Sequence, residues 1–347
     1  MAQLQTQFRQ FHDNIKLGTY EENDTLRTAR DEALKALRTG LSTLEVARGM
    51  NLPTVVDTFG QGSYAMRTGV LPLKDGDYDI DVAVVMAPAP GAMLDDPIGL
   101  KVLVRDALKA YSTTVRIRQP CVTIEREKYH VDLAIYRQGA FGELELARGK
   151  EYLSDANSGW ESSDPKGLLK AMQSFYAEEQ RAQQRRVVRY LKRWRDLQLP
   201  NERIPGIALT LAVMKWFSPV STSRLWGQPP IEDDLAALLA VVERLQAAFE
   251  IKLGTNLWDR EYRLRLNLPV APYTDVLAQR TERQMLAFYT SLELLKKALG
   301  QAQSLVDISD ACVVLERLFG PAFPTPTREE TSQATVRSPV IHSGNQG

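Results

Sequence analysis

The apolar residues of this chain change their spacing twice. Up to about residue 51 they recur with helical period: in DTLRTARDEALKALRTGLSTLEVARGM, Leu26, Ala29, Ala33, Leu34, Leu37, Leu41, Leu44 and Val46 fall on one stripe, with Asp24 placed to cap its start. The pattern then shortens to alternation and brief apolar runs in TVVDTFG, DYDIDVAVVM, TTVRIR, CVTIER and YHVDLAIYR, which predicts strands. The last two flank residues 125–128 as a hairpin would, and DPIGLKVLVRDALKAYS, between the second and third strands, predicts a helix opened by Asp96-Pro97. Helices followed by strands with a helix among them predict a mixed α+β unit over residues 1–163. From 164 to 323 the helical period returns, in RAQQRRVVRYLKRWRD, GIALTLAVMKWF, PPIEDDLAALLAVVERLQAAFE and YTDVLAQRTERQMLAFYTSLELLKKALGQA, and predicts a helical domain. Residues 324–347 are polar, rich in Pro, Ser and Thr, and without apolar period, so a disordered tail is expected there.

Charge and composition narrow the classes of function. Lys plus Arg equals Asp plus Glu at 43 each, so no overall electrostatic grip on nucleic acid is expected. The 2 cysteines and 3 histidines show no zinc-ligand spacing and no disulfide framework. MAQLQTQFRQFHDNIKL is amphipathic rather than a signal peptide, and no apolar run approaches the ~20 residues of a membrane span. A cytoplasmic protein without a membrane or a stable nucleic-acid partner is the expectation.

The chemistry is concentrated in DTFGQGSYAMRTGVLPLKDGDYDIDVAVVM, residues 57–86. Asp79 and Asp81 sit two apart in an apolar strand, on one face and about 6.6 Å apart along the chain. Asp132 interrupts a second apolar strand, KYHVDLAIYR, in the same way. Carboxylates crowded on a buried strand repel one another and lose hydration, so the pattern calls for a cation. Oxygen-only ligands suit Mg²⁺, which leans on substrate phosphates for its remaining ligands. Gly62-Ser63 opens a short helix whose free N–H groups and serine hydroxyl suit phosphate. Asp75-Gly76-Asp77 reads as a turn into the strand. Phosphate on the Gly-Ser loop and metal on Asp79, Asp81 and Asp132 make nucleotidyl transfer the expected reaction.

These residues also carry a family likeness. FGQGSYAMRTGVLPL followed by DYDIDVAVVM, with the later RRVVRYLKRWRD, resembles the bacterial cGAS/DncV-like nucleotidyltransferases (CD-NTases), which make cyclic oligonucleotide signals in CBASS antiphage defence. The likeness spans residues 8 to about 323. It implies a polymerase-β-like nucleotidyltransferase core with a helical C-terminal domain and ATP with a second NTP, GTP, as substrates. It also implies a cyclic dinucleotide such as cGAMP as product, and Gln61 close to the triphosphate. On the basic helix, Arg181, Arg185, Arg189 and Lys192 form one stripe opposite Val187, Tyr190, Leu191 and Trp194. A charge run is usually a solvated face, but the family places a lysine of this helix on the triphosphate, and Lys192 fits. The family often has a serine at the start of the next helix; here Gly206 stands there, with Thr210 one turn on as its substitute. The rivals are an RNA- or protein-directed nucleotidyltransferase of the same superfamily and a non-catalytic nucleotide-binding regulator. Finally, the tail ends in Gly347, and some CD-NTases are encoded with a ubiquitin-style E1/E2 partner that conjugates such a glycine.

Overall fold

A computed structural model of the chain describes residues 3–18, 24–73, 77–152, 158–173, 176–222, 230–253 and 260–330. The first part runs α1 (Gln5–Ile15), α2 (Asp24–Arg48), β1 (Thr54–Gly60), α3 (Gly62–Ala65), β2 (Tyr78–Ala87), α4 (Pro97–Leu108), β3 (Val115–Ile117), β4 (Val122–Glu125), β5 (Tyr129–Gln138), β6 (Leu144–Arg148) and β7 (Gly159–Ser163). The strands form one sheet in the order β1-β2-β5-β4-β3, with β6 paired to β5 and to β7. Only β2 and β5 pair in parallel; every other contact in the sheet is antiparallel. A central parallel pair is covered on both faces, which is why its strands read as nearly continuous apolar runs.

One face is the main core, where Ile80, Val82, Val84, Met86, Val131, Leu133 and Ile135 pack against buried residues of α2 and α4. The other face carries a small cluster of Ala83, Val85, Ala134 and Tyr136 with Phe59, Leu144 and Leu146 against it. Asp79, Asp81 and Asp132 have the same strand parity as that second cluster, so the acids continue it toward the strand starts. Helix α4 begins as expected: Asp96 accepts from the backbone N–H of Ile98 and Gly99 ahead of Pro97. Its Lys101 is wholly buried, donating to the carbonyls of Arg118, Gln119 and Gly149 at 2.6, 3.0 and 2.8 Å. Those bonds tie the loop after β3 to the end of β6.

The rest is α5 (Pro165–Gln173), α6 (Glu178–Gln198), α7 (Gly206–Trp216), the short pair β8 (Ser221–Thr222) and β9 (Ile231–Glu232), α8 (Asp234–Ala247), the hairpin β10 (Glu250–Leu253) and β11 (Arg260–Arg263), α9 (Glu282–Ser304) and α10 (Ile308–Phe319). The expected strands are all present. The pairs β6/β7, β8/β9 and β10/β11 were not read in the sequence, because segments of two to five residues carry too few alternations to show a period. None of the described helices is long and apolar enough to cross a membrane.

Three expectations need correction. Helix α1 packs with the helical part and not with the sheet: Phe8, Phe11 and Ile15 belong to the core of α6 to α10. Phe11 stacks on Tyr190 at 5.3 Å between centroids, and Phe8 meets Phe323 edge-on at 5.3 Å. A unit of residues 1–163 therefore holds one helix that folds with the other lobe. Val46 is 84% exposed, because α2 outruns the sheet it covers, and Asp24 lies in the first turn of α2 rather than ahead of it. Past residue 323, Thr325 donates to Glu316 and Arg328 pairs with Asp310, while residues 331–347, Gly347 included, fall outside the described residues.

Candidate active site

The acids meet because of the parallel register. Asp81 stands opposite Asp132 and Asp79 opposite His130 on neighbouring strands. Asp79 is exposed at the mouth of the site, whereas Asp81 and Asp132 are partly buried. Thr123, next door on β4, donates to Asp132 Oδ1 at 2.6 Å and fixes that carboxylate. Burial first, then Asp132 and Asp79, push the Asp81 carboxyl up to about 7. The Asp79 carboxyl, on an exposed residue, is also raised, by the partial loss of hydration in the cleft and then by Asp132. The protein thus holds Asp79 and Asp81 where they resist ionising unless a cation joins them.

The Gly-Ser turn is built against this pair. Gln61 N–H donates to the Asp81 carbonyl at 3.1 Å, and Gly62 has φ +66. A Cβ on Gly62 would overlap the Asp81 carboxylate, so both backbone angle and close approach require glycine. Helix α3 is a single turn of 4 residues. The Tyr136 hydroxyl donates to Gln61 Oε1 at 3.0 Å, so Gln61 is held from below by β5.

The opposite wall is α6 and α7. Arg189 donates to the carbonyls of Arg67 and Gly69 at 2.7 and 3.0 Å, Lys192 to the carbonyl and hydroxyl of Thr68 at 3.1 Å each, and Arg193 to the Leu71 carbonyl at 2.8 Å. All three are buried. The stripe is therefore not a solvated face over this length: it clamps the loop that follows α3. Toward the start of α6, Arg181 and Arg185 are half-buried and both pair with Glu178.

Between the walls lies a cavity of about 530 Å³ whose lining includes Gly62, Ser63, Asp79, Asp81, Asp132, Lys192, Gly206 and Thr210. Gln61 is not in that lining, and Thr210 turns its hydroxyl back to the Gly206 carbonyl at 3.1 Å. Burial, Arg195 and Arg189 push the Lys192 ammonium down to about 7, against the pull of Asp196 and Asp81. Thr68, Thr123, Tyr136 and Arg195 escaped the sequence reading. Their partners lie 9 to 124 residues away, and no local spacing marks them.

Among the described residues no group of three or more His, Cys, Asp or Glu side chains converges closely enough to hold a metal ion as it stands. The donor chemistry nevertheless fits a hard divalent cation: carboxylate oxygens alone, mutually repelling, in the wall of one cavity.

A mixed sheet with flanking helices, an acid pair on its central parallel strands and a helical lobe across a cleft define a polymerase-β-type nucleotidyltransferase fold. Residues 56–136, which include Asp79, Asp81 and Asp132, match the family model described as cyclic GMP-AMP synthase DncV-like, nucleotidyltransferase domain, so the likeness read in the sequence holds over that stretch. Among solved structures, the Vibrio cholerae DncV cyclic AMP-GMP synthase, described as a prokaryotic cGAS homolog, is similar over 93% of this chain and 98% of its own, with TM-score 0.65 and 18% identity. The same enzyme in complex with the linear intermediate 5′ pppA(3′,5′)pG is similar over 93% and 97%, with TM-score 0.64 and 18% identity. CdnC of E. coli MS115-1, in complex with HORMA-deltaN, is similar over 91% and 96%, with TM-score 0.60 and 18% identity. No curated protein matches the chain. These likenesses do not support the expected E1/E2 conjugating partner.

Proposed function

We propose that the protein is a metal-dependent cyclic oligonucleotide synthase that joins two NTPs, ATP and GTP, into a cGAMP-like cyclic dinucleotide for antiphage signalling in the cytoplasm. One observation carries the reading: a single cavity is walled by Asp79, Asp81 and Asp132 on one side and Lys192 on the other, with Gly62-Ser63 between them. In this reading Asp79, Asp81 and Asp132 hold Mg²⁺, which supplies charge neutralisation at the reacting phosphate and acidifies the attacking hydroxyl. Ser63 and the adjoining backbone bind the triphosphate, and Lys192 approaches it from the far wall. Asp132, with one oxygen anchored by Thr123, keeps the other for the proton of the attacking ribose hydroxyl. The ribose oxygen, its proton passed to Asp132, bonds to the α-phosphorus of the other nucleotide, and pyrophosphate leaves. A second round on the linear product closes the ring. The similarity to a synthase seen with a linear pppApG intermediate supports the two-step order.

The test is incubation with all four NTPs and Mg²⁺, phosphatase treatment and mass spectrometry. Phosphatase-resistant cyclic products are expected. Products seen only when RNA or a protein acceptor is added would replace this reading with an acceptor-directed transferase. Nucleotide binding without turnover would leave a regulator.

A further inference from the structure

The cleft is short of positive charge. Among the described residues its lining holds the carboxylates of Asp77, Asp79, Asp81, Asp132 and Asp196 against two cations, Lys192 and Arg195. A nucleoside triphosphate brings further negative charge, and Lys192 already commits two of its three donors to Thr68. Arg195 is held in place by its own bonds: Nη1 donates to the Ile204 carbonyl at 2.9 Å, and Nε and Nη2 donate to Asp196 Oδ1 at 2.8 and 2.5 Å. A guanidinium has five N–H donors in a rigid fork, so these bonds leave one on each terminal nitrogen.

Gly206 is what this arrangement stands over. It is the first residue of α7, it lines the same cavity, and a Cβ placed there would lie 3.3 Å from Arg195 Nη1 and 3.4 Å from Lys192 Cε. A side chain at 206 would crowd Arg195 Nη1 and rest in van der Waals contact on the Lys192 stem. Gly206 stands where the family resemblance implies a serine, and Thr210 does not replace it, because its hydroxyl serves the Gly206 carbonyl.

We propose that Arg195, seated over Gly206, is a second cation that binds the terminal phosphates of the nucleotide, and that Gly206 is glycine to leave it room. Arg195 thereby takes over the contact that a hydroxyl at 206 would make. This rests on the nucleotidyltransferase reading above.

Equilibrium binding of ATP, ADP and AMP with Mg²⁺ tests it in wild type, Arg195→Ala, Arg195→Gln and Arg195→Ala/Gly206→Ser. The glutamine variant keeps a donor for the Ile204 carbonyl and so guards against a folding defect. Both single variants should lose about ten- to a hundred-fold in ATP affinity, as expected for a charge-assisted phosphate contact, with AMP affinity within about twofold. Gly206→Ser, added to the panel as a control, should weaken ATP binding by crowding Arg195, yet the same serine should restore part of it in the Arg195→Ala background. A purely structural Arg195 would give equal losses for AMP and ATP and no rescue by serine, and that result would overturn the inference. Unchanged ATP affinity in the single variants would overturn it too, while leaving the synthase reading intact. A wild type that does not prefer ATP over AMP would overturn both.

Discussion

Asp81 is the residue on which site chemistry and stability pull apart. Its carboxyl is raised to about 7, above the ordinary carboxylate value, so the folded protein binds a proton there that the unfolded chain has released. Stability from this group is therefore highest in acid, falls as pH rises toward 7, and stays low above it. Asp81→Asn should raise Tm at pH 8 in EDTA, leave it nearly unchanged at pH 4, and abolish product; the double change Asp79→Ala with Asp81→Ala should do the same. Unaltered synthesis in either variant would remove both acids from the mechanism. Lys192 and Arg185 form a second contrast, for one lines the cavity and the other pairs with Glu178 at 2.6 Å. Lys192→Met keeps the buried stem but loses the charge, and apparent NTP affinity should drop by roughly 1.5–3 kcal/mol, while Arg185→Ala changes it little. Titrations with a nonhydrolysable NTP would separate that pattern from a diffuse basic surface, where both changes weigh equally.

At the scale of the element, α1 and α6 meet through a titratable contact. His12 Nε2 lies 3.1 Å from Arg189 Nη1, and burial followed by the Arg189 charge pushes the imidazole down to about 4. Neutral, it accepts from the guanidinium; protonated, it would set cation against cation. Because the unfolded chain binds this proton near pH 6.5 and the folded one near 4, stability is retained above 6.5 and lost as pH falls toward 4, by about 3 kcal/mol at most. His12→Gln keeps an acceptor and removes the titration, so Tm measured from pH 7 to 4 should decline less steeply than in wild type. The Gly-Ser turn is the other element with a sharp requirement. Gly62→Ala adds a methyl at φ +66 on top of Asp81, and we expect loss of product with the two cores intact by circular dichroism.

Across the whole molecule, the helical lobe depends on the first helix of the chain. Phe8 and Phe11 are fully buried among Tyr190, Phe319 and Phe323, so α1 closes a core whose other members come from the far end. Phe11→Ala should cost about 3–5 kcal/mol, and hydrogen exchange should rise in α6 and α10 well before it rises in β2 and β5. A uniform rise would mean that sheet and helices unfold as one unit through the clamp of Arg189, Lys192 and Arg193.

Periodicity and local chemistry were enough to find the strands β1 to β5, the helix opened by Asp96-Pro97, and the acid pair beside a Gly-Ser turn, because each is a short-range pattern: alternation, a cap, a carboxylate inside an apolar run. The placement of Asp132 beside Asp81 is different. It depends on β2 and β5 pairing in parallel and in one register, and two strands more than 40 residues apart along the chain do not announce that register. The basic helix reads in sequence as a charged stripe with Lys192 aimed at a triphosphate, and only packing shows Arg189, Lys192 and Arg193 closing over the carbonyls of residues 67–71. Likewise α1 reads as a neighbour of the strands it precedes, yet buries its aromatic face in the other lobe. Side-chain type and spacing fix what a segment can do; which distant segment lies against it follows from the fit of two cores and is settled only when the chain is folded.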